Sequence, residues 1–165
     1  MEPSKPEPVI HVQIAPSLAA EMHRLPGGVR ILERAASQAL QQPNDHPVLE
    51  LTLLLTDDQQ LTELNRQYMG LDEPTDVLSF PAGEVDPDTQ AFYLGDVALS
   101  LPRARSQAEA GGNSLQAELQ LLVVHGVLHL LGYDHADEAQ QAAMWAVQSQ
   151  VLSRLAHPLV HTSGD

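Results

Sequence analysis

No cysteine occurs anywhere in this chain. Disulfide bonds, thiolate metal sites and cysteine nucleophiles are therefore excluded together, and any metal must be held by His, Asp or Glu. Aromatic residues are scarce at 4%, so Leu, Val and Ala must fill the interior that a 43% hydrophobic content can build. Basic side chains number 8 against 22 acidic ones, for a net charge of −14. Sequence-independent affinity for free nucleic acid normally rests on clustered Lys and Arg, so this balance speaks against a simple basic clamp. Long apolar runs are missing as well. The stretch from Leu119 to Leu131 is broken by Gln120, His125, Gly126 and His129; it is too short to span a bilayer and reads as a buried helix. The opening MEPSKPEPVI lacks the apolar segment of a signal peptide, so a soluble cytoplasmic protein with no membrane partner is expected.

A length of 165 residues suits one domain with a single core. The expected boundaries are a disordered start over 1–8, one domain over 9–156 and a flexible tail over 157–165, because Pro, Ser, Gly and Asp dominate both ends. Val9 to Ile14 alternates like a half-buried strand, and a helix over VRILERAASQALQQ follows Pro26-Gly27-Gly28. Val48 to Leu55 reads as a central strand. Asp57 caps a helix with Gln60 at the capping-box position. VLSF forms a short strand closed by Pro81, the acidic residues from Gly83 to Gln90 form a loop, and FYLGDVALS forms another strand. Helices are expected from Pro102 to Ala110, from Asn113 or Ser114 through the histidines, and from Asp137 to Leu155. Strands early and helices late predict an α+β domain with a small mixed four-stranded sheet.

HGVLHLLGYDH, residues 125–135, concentrates three of the chain's 8 histidines. His125 and His129 are four residues apart, which puts both imidazoles on one helix face. Gly132 tolerates the left-handed conformation that commonly ends a helix, so the chain can return His135 to the same point. Three neutral imidazoles with a fourth position open form a catalytic rather than a structural zinc arrangement, and one zinc per chain is expected. His11, His23, His46, His157 and His161 have no such spacing and read as incidental. The stretch follows the zincin pattern H-E-x-x-H-x-x-G-x-x-H except that Gly126 replaces glutamate. That glutamate is the general base of peptide hydrolysis, so the helix is zincin-like while the protease machinery is missing. Glycine inside a helix also costs about 1 kcal/mol relative to alanine, which suggests close packing there.

With Gly126 and the Tyr133-Asp134 pair, this motif resembles the signature of the YbeY family of bacterial endoribonucleases. LNRQYMGLDEPTDVLSFP (Leu64 to Pro81) and LGDVALS (Leu94 to Ser100) resemble two further family segments, in the same order. The resemblance covers most of residues 48–155. It implies a zinc-dependent endoribonuclease specific for single-stranded RNA, acting in small-subunit (16S) rRNA maturation and ribosome quality control. It further implies that His125, His129 and His135 are the zinc ligands, and that a small-subunit ribosomal protein and the Era GTPase are partners. The chain departs from the family at Met69, where arginine is common and is proposed to meet RNA phosphate; Arg66, on the same predicted helix, is the candidate substitute.

No side chain is assigned as the catalyst. A zinc-bound water is the expected catalytic group, and zinc hydroxide and ribose hydroxyl both stand as the attacking oxygen. Asp96 is a candidate acceptor for a ligand imidazole, and Asp134 a candidate for orienting water, each against a plain structural reading. Thr75 and Asp76 read as bracing the loop before VLSF. RNA targeting has two readings, a local patch of Arg24, Arg30, Arg34 and Arg66, or tethering by a ribosomal partner. Two other functions remain open: a metal-dependent hydrolase of another substrate, such as a zincin-like peptidase, and a non-catalytic ribosome-assembly factor.

Overall fold

A computed structural model describes residues 6–71 and 75–160. Its four-stranded sheet is made of β1 (Val9–Ile14), β2 (Val48–Thr56), β3 (Val77–Val85) and β4 (Ala91–Ser100), in the order β1-β2-β4-β3. β2 pairs in parallel with β1 and β4, while β3 runs antiparallel to β4 on the edge. Six α-helices lie among the described residues: α1 (Ala19–Arg24), α2 (Arg30–Ala39), α3 (Asp58–Met69), α4 (Leu101–Gly111), α5 (Leu115–Leu130) and α6 (Glu138–Val160). The protein is thus an α+β domain with one mixed sheet, as the order of elements implies.

Alternation along the strands decides what lies on each side of the sheet. Leu51, Leu53, Leu55, Val97 and Leu99 point into the main core, where they meet Leu32, Ala35 and Ala36 of α2, Leu119, Val123 and Val127 of α5, and Met144, Val151 and Leu155 of α6. The opposite face is covered at one end by α3. There Leu61 packs on Leu78 and Ala98, with Leu54, Leu64 and Phe80 around them. α5 is apolar nearly all round because it is the helix at the centre of this core. Its capping follows the sequence: the Ser114 side chain accepts from the Ala117 N–H at 3.1 Å, as Asp57 does from the Gln60 N–H at 2.8 Å for α3.

Four expectations need correction. A 3-10 turn (Pro16–Leu18) and α1 fill a stretch with no expected element; Pro16 starts the turn and Met22 is buried. β3 does not close at Pro81 but continues to Val85, and the acidic loop shrinks to the turn before Ala91. Proline is tolerated there because β3 is an edge strand, and the pairing shifts register between Pro81 and Glu84. The last helix runs to Val160, past Leu155 and into the expected tail. Once its buried turns are formed, each added residue carries only the small cost of propagation. Of the expected loose ends, residues 6–8 carry neither helix nor strand, and residues 1–5 and 161–165 lie outside the described residues.

Candidate metal centre

α5 is held very close to the sheet at one point. A Cβ built on Gly126 would stand 2.5 Å from Val97 Cγ1, 3.2 Å from Val77 Cγ2 and 3.3 Å from Ser79 Oγ. The Ser79 hydroxyl also donates to the Gly126 carbonyl at 2.8 Å, pinning the helix to β3. Glycine is required here for close approach, which is why it stands where the zincins carry glutamate. His125 and His129 flank this contact on one side of the helix. The helix then ends in a double backbone clasp: the Gly132 N–H donates to His129 O and the Tyr133 N–H to Leu128 O, each at 3.0 Å. Gly132 has φ +104°, a conformation open chiefly to glycine, and the chain reverses through it to bring His135 back.

The three side chains do converge. Imidazole nitrogens of His125, His129 and His135 all lie within 4.8 Å of one another. His125 Nε2 and His129 Nε2 are 3.2 Å apart. Two nitrogens bound to one tetrahedral zinc at 2.0–2.1 Å would be separated by roughly 3.3 Å, so this pair fits the ion. The donor set fits as well, being three imidazoles without a thiolate. Burial lowers the pKa of His129, and the neighbouring His125 and His135 lower it further, which favours the neutral form a metal needs. His135 is exposed while the other two are half-buried, leaving the centre open on one side.

One residue of the site had no signal in the sequence. Gln148, on α6, places Oε1 3.1 Å from His125 Nδ1. An amide oxygen can only accept, so Nδ1 carries the proton and Nε2 turns its lone pair toward the other histidines. Nothing in the chain's spacing marks this glutamine; only the packing of α6 on α5 brings it in.

The remaining candidates are placed elsewhere. Asp96 sits on the sheet face away from α5, because its neighbour Val97 is the residue that meets Gly126. Its carboxylate accepts from the Tyr93 hydroxyl, which also bonds Thr52 Oγ1 at 2.6 Å. Burial first, and then this carboxylate, push the Tyr93 pKa up to about 12. Asp134 Oδ1 accepts the His135 backbone N–H at 2.7 Å and so shapes the turn that carries the third histidine. Arg66 forms an ion pair with Glu63 on α3, across the sheet from α2 and its Arg30 and Arg34. The four-arginine patch is therefore not assembled. Asp76 holds the start of β3 in place: its carbonyl accepts from Ser100 N at 3.0 Å and its carboxylate from Gln107 Nε2 at 3.1 Å.

Fold and site together define an α+β protein that presents three imidazoles from one helix and the turn that ends it. The family model for Endoribonuclease YbeY matches residues 28–156. Among individual relatives, the Endoribonuclease YbeY of Acidothermus cellulolyticus is 43% identical over 134 residues, covering 76% of this chain and 81% of that one. The Endoribonuclease YbeY of Roseiflexus castenholzii is 42% identical over 145 residues, covering 83% and 88%. A solution structure of TM1509 from Thermotoga maritima superimposes with a TM-score of 0.58 over 92% of this chain and 91% of its own, at 23% identity, and shares the fold. The chain belongs to the Endoribonuclease YbeY family.

Proposed function

We propose that this protein is a zinc-dependent endoribonuclease that cuts single-stranded RNA during maturation of 16S rRNA in the small ribosomal subunit and in ribosome quality control. Membership of an endoribonuclease family gives the coarse activity, hydrolysis of RNA. The observation that carries the metal-dependent reading is the pair of imidazole nitrogens 3.2 Å apart, with His135 closing the set. His125, His129 and His135 would hold the ion. A zinc bound there supplies Lewis acidity toward a phosphoryl oxygen and acidifies water near neutral pH. The protein's own contribution is positional. Gln148 fixes the His125 tautomer, the Gly126 contact fixes the helix, and the Asp134 turn fixes His135. Asp96, on the far face, takes no part at the ion in this reading.

Targeting falls to a partner. With net charge −14 and Arg66 already paired to Glu63, the chain has little to offer the phosphate backbone by itself. A small-subunit ribosomal protein and Era are the proposed recruiters, in the cytoplasm. No helix among the described residues is long and apolar enough to cross a membrane.

The test uses the purified protein, with metal analysis and cleavage of an unstructured RNA with and without a chelator. The expected result is near one zinc per chain and cleavage lost to chelator, with both abolished by His129→Ala. Zinc retained in full by His129→Ala would refute the ligand set. Stoichiometric zinc without RNA cleavage would point instead to an assembly factor, and cleavage of casein in place of RNA to a peptidase.

A further inference from the structure

The only tryptophan of the chain is exposed, at 53%, on a regular helix. An indole left in water on a rigid element, in a chain with so few aromatics, calls for an explanation from its surroundings. Trp145 is three residues before Gln148, which places it about 4.5 Å along the α6 axis and about 60° around it. Gln148 touches His125. The step from Gln148 back to Trp145 leads toward the segment 131–137, which joins the two helices and carries His135. Trp145 therefore stands on the flank of α6 that borders the histidines. Met144, beside it in sequence, is fully buried and anchors this turn of the helix to the core.

Positive charge is concentrated elsewhere. Arg154 bonds Gln38 of α2 at 3.1 Å. Nine residues separate it from Trp145, which sets the two side chains about 180° apart around α6. Arg30 and Arg34 of α2 thus belong to the flank opposite Trp145. Arg103 pairs with Asp58 and Arg105 with Glu21, so both are engaged away from the histidines. With these arginines engaged elsewhere, affinity for a nucleic acid near the metal centre, beyond that of the ion itself, calls for a contact other than a basic side chain. Stacking on an aromatic ring meets that need: every base has a π face, stacking is sequence-tolerant, and only an unstacked strand can offer it.

We propose that Trp145 is a substrate-positioning residue, a platform on which a base of single-stranded RNA stacks while the neighbouring phosphodiester lies at the three histidines. This inference rests on the endoribonuclease reading above and adds to it a physical reason for single-strand preference. Trp145 holds the strand locally, and the partner delivers it.

Because Trp145 is the sole tryptophan, its fluorescence reports on this position alone. The full-length protein, with chelator present to prevent cleavage, is titrated with a short unstructured oligoadenylate and with a duplex of equal length. Binding is read in parallel by anisotropy of labelled RNA. The expected result is quenching by the single strand and none by the duplex. Trp145→Ala should lose roughly 5- to 150-fold in affinity, the loss of one stacked base, and Trp145→Phe should recover most of it. With zinc restored, Trp145→Ala should raise KM and leave kcat nearly unchanged, and its thermal midpoint should match the wild type. Single-stranded RNA that binds with unquenched fluorescence, or equally well to Trp145→Ala, overturns this inference alone. A wild-type protein that binds no single-stranded RNA by anisotropy overturns this inference alone, and one that also fails to cleave RNA with zinc restored overturns the endoribonuclease reading with it.

Discussion

Replacing Gly126 with alanine should destabilise the protein, although alanine is the better helix former. In a helix interior the exchange is worth about 1 kcal/mol in favour of alanine. Against it stands the new methyl group, 2.5 Å from Val97 Cγ1, where carbon atoms prefer roughly 3.5–4.0 Å. Helix and sheet would have to part by about 1 Å. Val97 cannot turn away easily: it is β-branched, fully buried, and on a strand bonded on both sides, to β2 and to β3. Parting also stretches the bond from Ser79 to the Gly126 carbonyl, worth about 1 kcal/mol. Overpacking of this kind typically costs about 1–3 kcal/mol. With both contributions against the helix gain, a net loss of about 1–3 kcal/mol remains, a fall in Tm of roughly 2–12 °C for a chain of this size. Urea unfolding with a chelator present measures it free of metal effects. The steric origin is tested by adding Val97→Ala, which removes the obstructing methyl groups. The double variant should be more stable than the two single losses predict, by about 1 kcal/mol. A Gly126→Ala protein as stable as the wild type, or additive with Val97→Ala, would refute the reasoning. Gly126→Glu should lose more still and gain no peptidase activity.

Two further outcomes follow from named contacts. Gln148→Leu should weaken zinc binding roughly 10- to 100-fold, as removal of an imidazole's hydrogen-bond partner does elsewhere, while Gln148→Glu retains it. Competition with a chromophoric chelator reads this, and unchanged affinity in the leucine variant would dismiss the role. Glu118 is buried near Asp76, and burial first, then that carboxylate, raise its pKa. A raised folded-state pKa means that ionisation opposes folding: the penalty is absent below the unfolded pKa and grows as pH rises through the folded one. Glu118→Gln should therefore raise Tm at pH 7, with the gain vanishing below about pH 4. An equal gain at both pH values would place its origin elsewhere.

The local parts of this structure were readable from sequence because local chemistry fixes them. Ser114 and Asp57 as caps, Gly132 as the helix stop, and the His125–His129 spacing each depend on a few neighbouring residues. Gly126 was legible only as an anomaly, a costly residue in a helix, and the structure supplies its neighbour, Val97. What escaped depended on tertiary arrangement. Asp96 alternates with Val97, so the two had to face opposite ways, but which face α5 would cover is decided by the whole fold. Pro81 read as a strand stop because its tolerance depends on being at the sheet edge. Gln148 had no local signature at all.

All three imidazoles come from the single segment 125–135, and this has a consequence for assembly. A short run of chain can wrap a cation before any sheet exists, so an unfolded molecule is already a fair chelator. A ligand stabilises a fold only by the difference between its affinities for the folded and unfolded chains. Zinc should then protect this protein against heat by less than its affinity for the native site would suggest. What folding adds comes from outside the segment: Val97 and Ser79 against the helix backbone, and Gln148 arriving with α6. A cation held by this segment would thus owe its fixed geometry to residues that only the folded chain brings to it.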